Sequence, residues 1–324
     1  MRAAPRDAPA GPGRLGRAAT RELLGRLVAE ARSAAPAGKV ADYIPALAEA
    51  DPRAVGAALC LPDGSILEEG DSRRLFSIQS VSKVLSLAYV LESRGEEAVF
   101  SRVGKEPTGD PFNSIIRLET SSSRKPFNPL INAGAIVVSS LLPGSGGAGR
   151  CAGLAAFVGE AVGRAEVGID EDVYRSEAGT ASRNRSIAWF LEDLGLLGTG
   201  VEEALDAYFR QCALLLDASE LARVGALLAL DGILPGSGRR LLSARTARIV
   251  KGLMLTCGLY DGSGEFCSAA GIPAKSGVGG GILAAARGRM GLGAYGPALD
   301  ERGNSVAALH ILRGLSEGLE LYEL

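Results

Sequence analysis

Phe76-Ser77-Ile78-Gln79-Ser80-Val81-Ser82-Lys83 runs directly into the apolar stretch Val84-Leu85-Ser86-Leu87-Ala88-Tyr89-Val90-Leu91. Apolar residues at Val81, Val84, Leu85, Ala88 and Leu91 recur at helical spacing, so the pattern predicts a strand or turn through Phe76 feeding a helix that begins near Ser80. Ser80 and Lys83 then share one helical face a turn apart, and the hydroxyl lies beside an amine able to take its proton. This is the S-x-x-K arrangement of serine acyl enzymes. The same residues also suit a plain helix start, with Ser80 as the cap and Lys83 in solvent.

The chain holds only six lysines, yet the pattern occurs twice, because Ser122-Ser123-Arg124-Lys125 fits it as well. Context separates the two: Pro126 restricts Lys125 away from helical geometry, whereas Ser80 opens an amphipathic run of about three turns. The single histidine, His310, lies in Val306-Ala307-Ala308-Leu309-His310-Ile311-Leu312 and is expected in the core or on a strand face. No G-x-S-x-G elbow supplies a serine for it. Hydrolytic chemistry would therefore need another base, and a lysine whose pKa is depressed by burial or a nearby cation serves.

At 324 residues the chain can bury a large core as one compact unit or as two lobes. A hydrophobic content of 47% with 22% charged residues is that of a soluble globular protein, and a net charge of −2 excludes a phosphate-neutralising nucleic-acid face. Residues 1–18, rich in Ala, Pro, Gly and Arg without an apolar core, are expected to be a disordered tail rather than a signal peptide. No run approaches the ~20 apolar residues of a spanning helix, so no membrane partner is expected. Five scattered cysteines without C-x-x-C spacing favour reduced thiols in a cytoplasmic protein, and with one histidine no metal or other cofactor is implied.

Periodicity predicts an amphipathic helix over 20–35, and strands at 55–60 and 65–67 about the turn Pro62-Asp63-Gly64. It predicts a buried helix over 128–138 and a loop at 143–149. Further helices are expected over 154–162, 180–194, 201–216, 218–230 and 243–257, the fourth of these capped by Asp217 with Glu220. Short strands are expected at 282–286, 290–295 and 305–312, then a helix over 315–321. Strands at both ends with helices between predict an α/β layer interrupted by a helical lobe. The sheet-containing lobe takes 19–85 and 258–324, and the helical lobe 86–257. Two G-x-G-x-x-G matches, at 11–16 and 291–296, are expected by chance among 44 glycines, since neither links a strand to a helix.

Lys275-Ser276-Gly277-Val278-Gly279 precedes a predicted strand, where the K-[ST]-G segment of S-x-x-K enzymes lines the site. With both elements in order, the chain resembles the serine-dependent glutaminases, relatives of the β-lactamase and penicillin-binding protein fold. The resemblance rests on residues 38–45 (Gly-Lys-Val-Ala-Asp-Tyr-Ile-Pro), 76–83, 104–107, 128–135, Ser176-Glu177, Arg183-Asn184, Tyr260-Asp261 and Gly303-Asn304-Ser305-Val306. Departures are the Gly-Ser loop near Gly146, the arginine-rich tail and Ser186 in place of a small apolar residue.

The resemblance implies a central, mostly antiparallel sheet flanked by helices, with 19–324 forming a single domain. It implies hydrolysis of L-glutamine to L-glutamate and ammonia, with Ser80 as nucleophile, Lys83 as its base and Tyr260 as a second proton-transfer group. It places the oxyanion between the backbone N–H groups of Ser80 and Val278, and carries substrate contacts over to Tyr43, Asn132, Glu177, Asn184, Tyr208 and Tyr260. It also implies a homo-oligomer, a dimer or tetramer. Glutamine carries an ammonium, which Glu177 suits, and a carboxylate, for which Asn132, Asn184 and Tyr208 are neutral donors. Glu177 and Asn184 share a face if the chain is helical from Glu177 onward. A β-lactamase or peptidase-like hydrolase, or a non-catalytic amino-acid-binding relative, are the alternatives.

Overall fold

The computed structural model describes residues 15–109, 114, 119 and 124–322. Its strands are β1 (Gly56–Cys60), β2 (Ile66–Gly70), β3 (Phe76–Ser77), β4 (Leu215–Leu216), β5 (Ala274–Ser276), β6 (Gly281–Ala286) and β7 (Met290–Tyr295). Among the described residues the main sheet is five-stranded and antiparallel throughout, in the order β2-β1-β7-β6-β5, while β3 pairs with β4 apart from it. The turn Pro62-Asp63-Gly64 joins β1 to β2, and Gly64 supplies the left-handed backbone (φ +83°) that only glycine adopts without strain.

In chain order the α-helices are α1 (Arg17–Ala34), α2 (Ser82–Phe100), α3 (Asn132–Ser140), α4 (Gly146–Val162), α5 (Glu171–Thr180), α6 (Ser182–Asp193), α7 (Val201–Cys212), α8 (Ala218–Ala229), α9 (Ala244–Cys257), α10 (Ser263–Ala270) and α11 (Val306–Gly318). One face of the sheet is covered by α1 and α11, whose Leu24, Leu27, Ile311 and Leu312 pack on Leu59, Ile282 and Leu292. On the other face lies α8, which the sequence pattern groups with the helical lobe. Its position follows from glycine: a Cβ on Gly291 would stand 1.9 Å from Ala226 N, and one on Gly293 2.0 Å from Ala218 O. The backbone of β7 thus meets that of α8 with no side chain between them. A second core, including Val84, Leu87, Ile136, Leu154 and Leu205, binds α2, α3, α4 and α7 together.

Several sequence expectations shift. The stretch predicted as a strand at 305–312 is the start of α11, because Ala307, Ala308, Ile311, Leu312 and Leu315 keep helical spacing on the buried face. His310 faces away from that core, half-exposed, with Nε2 3.1 Å from Glu30 of α1. The predicted helix over 180–194 is α6, and a helix that the pattern did not predict, α5, ends just before it, the two being separated at Ala181 (φ −84°, ψ 22°). Helix α4 begins inside the predicted loop, at Gly146. The expected tail ends earlier, since α1 starts at Arg17, whose guanidinium pairs with Asp63 and donates to Ser65 Oγ at 2.8 Å. The tail residues before Leu15, and Ser122 with its second S-x-x-K pattern, lie outside the described residues. The capping box at α8 is present, with Asp217 and Glu220 satisfying each other's backbone N–H groups. No helix among the described residues is long and apolar enough to cross a membrane.

Candidate active site

Ser80 stands in a single 3₁₀ turn, Gln79–Val81, immediately ahead of α2. Two contacts hold that turn. The Ile78 N–H donates to Leu214 O (2.9 Å) beside the β3–β4 pair, and the loop after β5 presses against it from the other side. The loop approaches closely because it is glycine-rich: a Cβ on Gly277 would lie 2.5 Å from Ile78 O and 3.3 Å from Ser80 N, and one on Gly279 2.2 Å from Ser77 O. Val278 is thereby carried alongside Ser80. Gln79 (φ +48°) and Tyr260 (φ +53°) both adopt left-handed backbone without being glycine. Such strain, typically about 1–3 kcal/mol per residue, persists where the surroundings over-determine the geometry and clusters at functional sites.

At the second residue of α2, Lys83 is only 1% exposed, and its Nζ donates to Asn132 Oδ1 (2.7 Å) and to Leu130 O (3.4 Å). Burial pushes its pKa down to about 8, against the opposing pull of Cys212 and Glu177. The amine therefore reaches its neutral, basic form near physiological pH. Asn132 Nδ2 donates in turn to Asn184 Oδ1 (3.0 Å), so a polar chain links the amine to the N-terminal turn of α6. The Tyr260 hydroxyl donates to Ser276 O (3.3 Å) and shares a hydrogen bond with the Ser80 side chain; burial raises its pKa, with the Ser80 contact opposing. Lys275 Nζ lies 4.6 Å from the centre of the Tyr260 ring and donates to the same Ser276 carbonyl. Burial, then the charge of Lys83, holds Lys275 well below the ordinary lysine range.

Glu177 is 7% exposed, and its Oε2 is buried with no hydrogen-bond partner among the described residues. Burial raises the pKa of this carboxyl to about 8, while Lys83 and hydrogen bonds from Cys212 and Gln79 act the other way. A buried carboxylate oxygen without a donor is costly unless something cationic arrives to pair with it.

These groups open onto one cavity of about 310 Å³, at the small end of the range for small-molecule sites. Its lining includes Tyr43, Ser80, Asn132, Glu177, Asn184, Tyr208 and Val278, all of them predicted. Tyr43 is 55% exposed and Tyr208 is buried. Lys83 lies beneath this lining rather than in it, and Tyr260 lines a small recess beside it with Asn128, Leu130 and Asp261. Glu177 and Asn184 meet there for a different reason than a shared helical face: the chain breaks at Ala181, and the end of α5 and the start of α6 both border the cavity. The lining also holds Gln79, Arg183 and Cys212, which the sequence reasoning did not select. The first two adjoin predicted residues. Cys212 follows Tyr208 by one turn of α7, a spacing that places both on one face. No cluster of three or more His, Cys, Asp or Glu side chains fit to hold a metal occurs among the described residues.

The glutaminase family model matches residues 38–322. Glutaminase 2 of Clostridium perfringens is 45% identical over 301 residues, covering 93% of this chain and 99% of its own. A probable glutaminase, ybaS, superposes with a TM-score of 0.90 at 38% identity, over 94% of this chain and 98% of its own. The glutaminase YbgJ of Bacillus subtilis, solved as a covalent complex with 5-oxo-L-norleucine after reaction with 6-diazo-5-oxo-L-norleucine, superposes with a TM-score of 0.86 at 36% identity, over 94% and 99%. A match over most of the chain, at such identity and on the same fold, leads to one assignment: the chain belongs to the glutaminase family.

Proposed function

We propose that this glutaminase hydrolyses the side-chain carboxamide of L-glutamine through an acyl enzyme on Ser80, with Lys83 as base. The observation that carries the reading is a single cavity that offers both a serine one turn from a buried, depressed lysine and a buried carboxylate oxygen lacking a partner. Glutamine answers both: its ammonium pairs with Glu177, and its carboxamide is then presented to Ser80. Asn132, Asn184, Tyr208 and Tyr43 supply polar groups for the α-carboxylate.

In the first half-reaction, neutral Lys83 takes the Ser80 proton as Oγ attacks the carboxamide carbon, and the oxyanion meets the N–H groups of Ser80 and Val278. Tyr260 passes a proton to the departing ammonia and recovers one from Lys83, which returns to its neutral form. Water then attacks the γ-glutamyl ester as neutral Lys83 takes its proton, the bond to Ser80 Oγ breaks, and Lys83 returns the proton to Oγ as glutamate leaves. By the family resemblance we also propose a cytoplasmic homo-oligomer, dimer or tetramer, which sedimentation equilibrium would test.

Ser80→Ala is expected to abolish ammonia release in a coupled assay while calorimetry still registers glutamine binding. Ser122→Ala should change little. Full activity in the Ser80 variant would sink the assignment, and turnover of a β-lactam by the parent would favour the peptidase-like alternative.

A further inference from the structure

Helices α5 and α7 are clamped to each other around Glu177. Ahead of α5, the Asp170 N–H donates to Ala213 O (2.8 Å) and the Leu215 N–H to Gly168 O (2.9 Å), so the chain leaving α7 pairs with the chain entering α5. Three residues before Glu177, the Tyr174 hydroxyl donates to Asp206 of α7 at 2.5 Å, and Arg210 Nε donates to the same carboxylate at 3.0 Å. The last turn of α7 is thereby held beside the carboxyl that lines the cavity.

That turn carries Cys212, a buried thiol that hydrolysis leaves unused. It is 2% exposed and lines the same cavity as Glu177. Its S–H donates to the Glu177 side chain, and the hydroxyl of Tyr208, one turn earlier, donates to the sulfur. Burial, then the charge of Glu177, holds the thiol well above the ordinary cysteine range, so at neutral pH it is a donor and not a thiolate. The other groups facing Glu177 are Lys83 of α2, Tyr43 and Gln79, with Arg183 of α6 lining the same cavity. Lys83 is committed to Asn132, and the Gln79 amide is shared with Ser77 Oγ at 3.5 Å.

We propose that Cys212 is a positioning residue for substrate recognition: its S–H orients the Glu177 carboxylate and favours the charged form, leaving the unpartnered Oε2 for the α-ammonium of glutamine. The proposal rests on the reading of Glu177 as the ammonium's partner. A buried carboxylate is held ionised by the donors it accepts from, and a thiol is a weak enough donor to leave most of the charge for a ligand. Without that donor the carboxyl keeps its proton more tightly, and glutamine must displace it on binding. The loss then falls on binding rather than on the chemistry at Ser80.

The experiment measures ammonia release against glutamine concentration between pH 6 and 9.5, for the parent and for Cys212→Ala, Cys212→Val and Cys212→Ser. Both apolar variants are expected to raise KM about tenfold at pH 7 with kcat within threefold, and their KM should approach that of the parent at the alkaline end, where Glu177 is ionised in all of them. Cys212→Ser restores a donor and should keep KM within threefold. An unchanged KM in the apolar variants, a loss confined to kcat, a rise that serine fails to rescue or one that is equal at every pH overturns the proposal. A rise in Cys212→Ala that Cys212→Val does not reproduce marks a cavity rather than a lost donor, and overturns it too. A parent KM that does not change with pH would instead overturn the Glu177 reading beneath it, and absence of ammonia from the parent the acyl-enzyme reading.

Discussion

Lys83, the base of the proposed mechanism, is a buried amine whose basicity and stability cost have the same origin. Its amine loses a proton near pH 8 because burial penalises the charged form, so kcat should rise as pH increases through that region. Arginine stays protonated at any workable pH, and Lys83→Arg should lower kcat by more than about a hundredfold. A loss within tenfold would transfer the role to Tyr260. The sign of the stability effect follows from the same shift. A folded-state pKa below the unfolded one means that the penalty is fully present below about pH 8 and disappears as pH rises through the unfolded value of 10.5. The shift corresponds to about 3 kcal/mol, against about 1 kcal/mol for the hydrogen bond to Asn132. Lys83→Met should therefore raise the thermal midpoint by a few degrees at pH 7 while abolishing activity, as calorimetry would register. Glu177 shifts oppositely: below about pH 8 the empty pocket favours its neutral form, so glutamine binding should release a proton at neutral pH, and KM should climb as pH falls.

At the scale of elements, glycine decides which surfaces meet. Gly291 lets β7 lie directly on α8, and a methyl group there would overlap Ala226 N and Ala222 O. Gly291→Ala should thus cost more than about 2 kcal/mol in urea unfolding, an overpacking penalty beyond propensity. An unchanged urea midpoint would mean that the helix shifts away freely. The break at Ala181 has the converse effect. It denies α5 and α6 a common axis, and so presents Glu177 from one helix end and Asn184 from the next helix start to the same cavity.

Across the whole molecule, the pocket joins pieces from distant parts of the chain, and that distribution governs substrate length. If the α-ammonium is held at Glu177 as proposed, asparagine leaves its carboxamide more than ~1 Å from the productive position at Ser80, an error that can cost about a hundredfold in rate. The lost burial of one CH₂ costs only ~0.8 kcal/mol. Asparagine should therefore fail mainly in kcat, and glutamate should inhibit competitively. Comparable kcat/KM for the two amides would mean that the α-groups are not anchored as proposed.

Local pattern determined much of this protein. The S-x-x-K helix start, the β1–β2 hairpin, the capping box of α8 and the polar residues that gather at the cavity are all visible in the chain, because each depends on neighbours a few residues away or on motifs that keep their order. Tertiary structure alone decided the rest. The apolar run at 306–312 fits strand or helix in a short window, and only packing against α1 and the sheet selects helix and turns His310 outward. The depressed lysine, the unpartnered oxygen of Glu177 and the placement of Cys212 and Gln79 in the pocket wall depend on burial created by residues more than a hundred positions apart, a property that no local window contains.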